Sequence, residues 1–109
     1  MYFKSSYSRI MDILKLLFDY FPTAVYTGKA LVFISEHWRV ELTEHKNSDF
    51  SQLTNHLPLV RVRIYNKALN GEFVQGHYED FQLDSVSELA SQIERYIQFA
   101  VGTNIRENA

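Results

Sequence analysis

The chain contains no cysteine. Disulfide frameworks, thiolate metal sites and cysteine nucleophiles are therefore excluded. Its four glycines, at positions 28, 71, 76 and 102, are too scattered to form a phosphate-cradling loop. No Gly-x-Ser-x-Gly elbow is present to expose a serine nucleophile. No apolar run approaches the roughly 20 residues that span a bilayer, and no signal-peptide pattern opens the sequence. These absences predict a soluble cytoplasmic domain without metal or cofactor. An excess of basic charge is also missing, since the net charge is −2. A general nucleic-acid binder draws its affinity from neutralising phosphates and would carry a basic surface.

Aromatic and aliphatic residues are plentiful. Hydrophobic side chains make up 46% of the 109 residues and aromatics 15%, too much apolar surface for a disordered chain. The length suits one domain, 1–109, with 103–109 expected to be a flexible polar tail. Charge is uneven. Six carboxylates (Glu79, Asp80, Asp84, Glu88, Glu94 and Glu107) meet only Arg95 and Arg106 in the last third, leaving the earlier region slightly basic.

The apolar pattern predicts helix, meander, helix. Tyr7, Ile10, Ile13, Leu14, Leu17 and Phe21 recur at helical spacing, which predicts a helix from Tyr7 to Phe21. Ser5 or Ser6 is its expected cap and Pro22 its stop. Met11, Leu16 and Phe18 widen the apolar stripe, so the helix either meets two neighbours within the domain or offers an interface, for example in a homodimer. Gly28 marks a turn. Ala30–Ser35 reads as a strand buried on both faces, because Leu31 to Ile34 are all apolar. Trp38–Thr43 alternates and should pair with it through the tight turn at Ser35, Glu36 and His37. Residues 44–57 read as a surface loop with one helical turn held by Phe50, Leu53 and Leu57.

Leu59–Tyr65 alternates again. Asn70-Gly71 is a strong two-residue hairpin signal. A turn there places Arg61 opposite Asp80, Arg63 opposite Tyr78 and Ile64 opposite His77. The first pair is ionic and the second a cation–π contact. A turn at Asn66-Lys67 is the competing possibility. Ser85 and Glu88 form a capping box before the closing apolar stripe of Val86, Leu89, Ala90, Ile93, Tyr96, Ile97, Ala100 and Val101, with Gly102 beyond it. The order predicts an α+β fold: a helix, an antiparallel three- to four-stranded meander, and a C-terminal helix packed on one sheet face.

Candidate chemistry is sparse. His37, Glu41 and His45 are ligand types suited to zinc, but residues four apart on a strand lie about 13 Å from each other, too far for one ion. Exposed polar strand residues are the simpler reading. His56 is a loop residue, and His77 opposite Ile64 reads as a partly buried core histidine. The candidate binding surface comprises Arg39, Arg61, Arg63, Tyr65 and Tyr78, with Trp38 beside them. Arginines interleaved with aromatics can stack on bases or hold phosphates. They are also the residues enriched at protein interfaces. Met11, Leu16 and Phe18 form the second candidate interface.

Three segments are similar to the YqiB-like family of small bacterial cytosolic proteins. Tyr7-Ser8-Arg9-Ile10-Met11-Asp12-Ile13-Leu14 resembles the family's opening helix. Leu57-Pro58-Leu59-Val60-Arg61-Val62-Arg63-Ile64-Tyr65-Asn66-Lys67-Ala68, followed by Glu72-Phe73, resembles its Val-Arg-aliphatic-Tyr-His-Asp-Ala pattern. Asp84 to Gly102 takes the place of its closing amphipathic helix. Asn66-Lys67 stands where the family has His-Asp, so any role of that pair is absent here. The family's Pro after the paired leucines and its Tyr-Pro-Asn element are also missing. The resemblance implies a fold and a compartment and carries no activity. The element order is similar as well to that of double-stranded-RNA-binding domains, but Ser85 opens an acidic helix where those have lysines.

The expected function is that of a small non-catalytic binding or adaptor protein acting through protein–protein contacts or self-association. One alternative is a nucleic-acid-binding accessory protein using the Arg/Tyr face. Another is a small mobile-element inhibitor (anti-defence) of a larger complex, its acidic final third imitating nucleic acid.

Overall fold

A computed structural model describes residues 12–45, 59–82 and 85–102. Helix α1 spans Ile13–Phe18. It is followed by strands β1 (Val25–Tyr26), β2 (Ala30–Ile34), β3 (Trp38–His45), β4 (Leu59–Lys67) and β5 (Phe73–Phe81), and by helix α2 (Val86–Val101). The strands form one antiparallel sheet in chain order, β1-β2-β3-β4-β5. The α+β class and the C-terminal helix agree with expectation. Among the described residues the sheet has five strands where three or four were predicted. The added strand, β1, is only two residues long and carries too little pattern to be seen.

The predicted Tyr7–Phe21 helix does not run unbroken through Asp12, nor on to Phe21, while Ser5, Ser6, Tyr7 and Ile10 lie outside the described residues. Asp12 is extended (φ −77°, ψ 106°) and caps α1, accepting the Leu14 N–H at 3.0 Å. Asp12, not Ser5 or Ser6, thus starts this helix. A carboxylate that reaches back to free backbone donors favours a cap over a helix interior. The same carboxylate accepts the Tyr26 hydroxyl, which ties the helix start to β1. That bond is the main reason the Tyr26 hydroxyl is held above its ordinary pKa. Regular helix ends at Phe18, well before Pro22, and single turns carry the chain through Phe21 to Ala24.

Both helices pack on one face of the sheet. Leu31 and Phe33 of β2, Val40 and Leu42 of β3, and Val60, Val62 and Ile64 of β4 point to that side. They join Ile13, Leu14, Leu17 and Phe21 from the first helical region and Leu89, Ala90, Ile93 and Ile97 from α2 in one core. Each buried Val, Leu, Ile or Phe among them contributes roughly 1.5–3 kcal/mol of transfer free energy, set against the entropy of ordering the chain. The predicted burial of β2 on both faces is corrected. Val32 is only half-buried and Ile34 is 62% exposed, because no described helix covers the second face.

The β4–β5 hairpin reaches its predicted pairs by a different route. Its loop is Leu69-Asn70-Gly71, three residues. The Gly71 N–H donates to Ala68 O at 2.9 Å and the Ala68 N–H to Glu72 O at 2.7 Å. Gly71 has φ +90°, the left-handed position that closes such a loop. A three-residue loop shifts the register by one, so Lys67 faces Phe73 and Tyr65 faces Gln75. A bulge at Gly76 then shifts it back, and Ile64 faces His77, Arg63 faces Tyr78 and Arg61 faces Asp80. The competing turn at Asn66-Lys67 is not used, since both residues lie within β4.

Helix α2 begins at Ser85, whose hydroxyl accepts the Glu88 N–H at 3.4 Å. It ends at Gly102, left-handed at φ 73°, with its N–H bonded to Gln98 O at 2.7 Å. Asp84, the tail 103–109, Met11 and most of the 44–57 loop, with Phe50, Leu53, His56 and Leu57, lie outside the described residues.

Candidate functional site

Five of the six predicted surface residues share the sheet face that no described helix covers. Alternation along β3 sends Arg39, Glu41, Thr43 and His45 to this side, opposite Val40 and Leu42. On β4 the same rule sends Arg61, Arg63, Tyr65 and Lys67 there. On β5 the bulge inverts the alternation: Phe73 and Gln75 before it, and Tyr78 and Asp80 after it, all reach the open side. Trp38 does not belong to the group. It lies on the helix-covered side, half-buried against the core. Of the second candidate group, Leu16 is half-buried, and Phe18 packs on the core with its ring 6.1 Å from Tyr26.

The face is a network of matched side chains. The Arg61 Nε donates to Asp80 Oδ1 at 2.7 Å and its Nη2 to Oδ2 at 2.9 Å, a bidentate pair. The same guanidinium lies 4.3 Å from the Tyr78 ring centre. The cation–π contact expected between Arg63 and Tyr78 is thus made diagonally by Arg61. Arg63 instead donates to Thr43 Oγ1 at 3.0 Å and stands 3.7 Å from Glu41 Oε1. The Tyr65 hydroxyl donates to the same Glu41 oxygen at 3.3 Å. Burial, then the nearby Glu41 charge, raise the Tyr65 pKa.

Arg39 is different. Its guanidinium carbon lies 4.6 Å from the Phe73 ring centre, but its Nε is buried and has no hydrogen-bond partner among the described residues. Sequence reasoning missed Phe73 as its platform. An isolated glycine inside a strand is the signal of a bulge, and Gly76 read that way would have brought Phe73 to this face.

The apolar part of the surface lies toward β1 and β2. Val25 is 51% exposed and Ile34 62%, and Tyr78 is 50% exposed across the sheet. Counting Arg39, Arg61, Arg63 and Lys67 against Glu41 and Asp80, the face is net basic. Two of these four cations, Arg61 and Arg63, are nonetheless held by carboxylates of the same face.

His37 and His77 stand apart from this network, whereas His45 lies on the same side of β3 as Glu41 and Thr43. His37 is exposed at the β2–β3 turn, 3.8 Å from Glu36. His77 is exposed on β5 and meets the Tyr96 ring edge-on at 6.3 Å. The expected partly buried core histidine is therefore corrected, because β5 is an edge strand that α2 covers only in part. Among the described residues no group of three or more His, Cys, Asp or Glu side chains is placed to hold a metal ion, and no helix is long and apolar enough to cross a membrane.

The bidentate pair makes one prediction. Its hydrogen bonds to Arg61, ahead of the Arg61 charge itself, hold the Asp80 carboxyl below the usual carboxylate range. A carboxyl with a depressed folded pKa stabilises the fold above its unfolded value, about 3.9, and loses that contribution as pH falls through the folded value. Urea midpoints of the wild type should therefore exceed those of Asp80→Asn at neutral pH. The difference should close in acid, below about pH 3.9. A gap that does not narrow at all as pH falls below about 3.9 would show that the pair is not its source.

Comparison with known proteins finds no matching family model, no similar curated protein and no similar solved structure.

Proposed function

We propose that this chain is a small non-catalytic binding protein that engages a protein partner through the open face of its sheet. The observation that carries the reading is one surface with two properties. Exposed Val25, Ile34 and Tyr78 supply apolar contact area, and Arg61 and Arg63 are already fixed by Asp80, Glu41 and Thr43. Side chains ordered in advance lose little entropy on binding, and arginine with aromatic anchors is the usual composition of interface hot spots. Internal charge matching favours protein over nucleic acid, because a phosphate backbone would have to compete with Asp80 and Glu41 for the same guanidinium groups. An adaptor needs no catalytic group. The YqiB-like resemblance and the anti-defence alternative both fit a protein of this kind.

The test is affinity capture from the native host with immobilised wild type, Ile34→Asp and Tyr78→Ala. A hot-spot residue costs 2 kcal/mol or more on truncation, about a thirtyfold loss of affinity. Partner recovery should fall by that order in both variants while their far-UV circular dichroism stays unchanged. Folded variants that retain the partner in full would overturn the reading. Capture of nucleic acid that weakens steeply with salt, and weakens further in Arg63→Ala, would replace it with the nucleic-acid alternative.

A further inference from the structure

Two of the three arginines on the open face have carboxylates of their own; Arg39 has none among the described residues. Arg61 holds Asp80, and Arg63 stands beside Glu41. Glu41 also takes the Tyr65 hydroxyl, so the acid two positions along β3 from Arg39 is engaged elsewhere. Arg39 sits directly opposite Ile34 on β2 and Tyr65 on β4. The Phe73 ring fixes its guanidinium from the β5 side. Its Nε has been withdrawn from water without gaining an acceptor among the described residues. A buried donor in that condition costs free energy, and natural proteins seldom leave one without a use. Meanwhile Ile34, the opposite residue, is 62% exposed.

We propose that Arg39 is the anchor for a carboxylate side chain of the protein partner, and that an apolar residue next to that carboxylate rests on Ile34. This deepens the proposed function and rests on it. A preordered guanidinium on an aromatic platform presents a planar donor array, which suits a carboxylate. The surrounding face is net basic and attracts an acidic segment. The apolar β2 side restricts the ligand to one that joins an acid to an aliphatic or aromatic neighbour.

Arginine Nε–H resonances of the full chain, observed by NMR, provide the test without the partner in hand. The probes are acetate, an acetylated Leu-Glu-Leu amide and inorganic phosphate at constant ionic strength. Arg39 should shift saturably with the peptide, about tenfold more tightly than with acetate, the size of effect one apolar contact supplies. The Arg61 and Arg63 signals should hardly move. In Arg39→Lys the peptide-induced shifts of the neighbouring Ile34 and Tyr65 backbone amides, saturable in the wild type, should no longer saturate, and Ile34→Asp should remove the peptide's advantage over acetate. Equal, non-saturating shifts at all three arginines would overturn the proposal, as would tighter binding of phosphate than of the peptide. If the titration fails while Ile34→Asp and Tyr78→Ala still lose the captured partner, the carboxylate inference falls and the open-face reading stands. If it succeeds while those variants keep the partner, Arg39 remains a carboxylate site and the open-face reading falls.

Discussion

Replacing Phe21 by alanine is expected to remove about 3–5 kcal/mol of stability, the usual cost of deleting a fully buried aromatic ring. Phe21 is completely buried although it lies outside regular helix and strand. Its ring meets Phe33 edge-on, with centroids 5.5 Å apart and planes at 82°. The Phe21 carbonyl accepts the Ala24 N–H at 3.0 Å, so the turn after α1 is built around it. Truncation would leave a cavity between the first helical region and β2, which the surrounding backbone cannot close without shifting that turn. Domains of this kind are stable by about 5–15 kcal/mol in all, so the loss is a large share. The check is a guanidinium titration: the midpoint should drop with the slope unchanged. A double-mutant cycle with Phe33→Leu should recover the ring–ring part, about 0.5–1.5 kcal/mol. A midpoint within error of wild type would mean that Phe21 is not in the core.

The second large effect distinguishes the two faces of the sheet. Leu42→Ala is expected to cost about 2–5 kcal/mol and Ile34→Ala no more than about 0.5 kcal/mol. Both are aliphatic residues on neighbouring strands. Leu42 is flanked by Leu31 and Val62 and is fully buried beneath the helices. Ile34 faces Arg39 on the other side and is mostly exposed. Denaturation midpoints of the two variants measure the difference directly. Similar losses in both would mean that something covers the open face, and the proposed binding surface would have to move. A small loss in Ile34→Ala also makes Ile34→Asp a clean reagent for partner capture.

These contrasts show where sequence reading works and where it stops. The helix-covered side of β3 and β4 was legible because Val40, Leu42, Val60, Val62 and Ile64 alternate without interruption. Helix α2 was legible because its hydroxyl cap, its stripe and its terminal glycine all agree. The break at Asp12 was missed, since Asp12 fits a helical pattern as a polar residue just as well as it fits a cap. Strand β1 escaped because two residues carry no period. Most instructive is the hairpin. The two-residue turn assumed at Asn70-Gly71 was wrong, yet the Arg61–Asp80 pair was right, because the longer loop and the bulge offset each other. The offset hid only the stretch between them, Phe73 to Gln75, and with it the platform under Arg39. The arginines themselves were visible as a group, but which carboxylate each one takes depends on diagonal reach across the sheet, which no linear spacing encodes.

The bulge at Gly76 also bears on how the molecule lives at high concentration. Strand β5 is the outer strand of the sheet among the described residues, and an edge of that kind is a natural template for a neighbour to add another strand. A flat nine-residue edge would invite stacking of copies into ribbons. Gly76 breaks that template near its middle and increases the local twist, while His77, Glu79 and Asp80 crowd polar and charged groups beside the break. The residue that lets Phe73 support Arg39 therefore also serves solubility. One residue thus both shapes the face proposed to bind a partner and blunts the edge beside it.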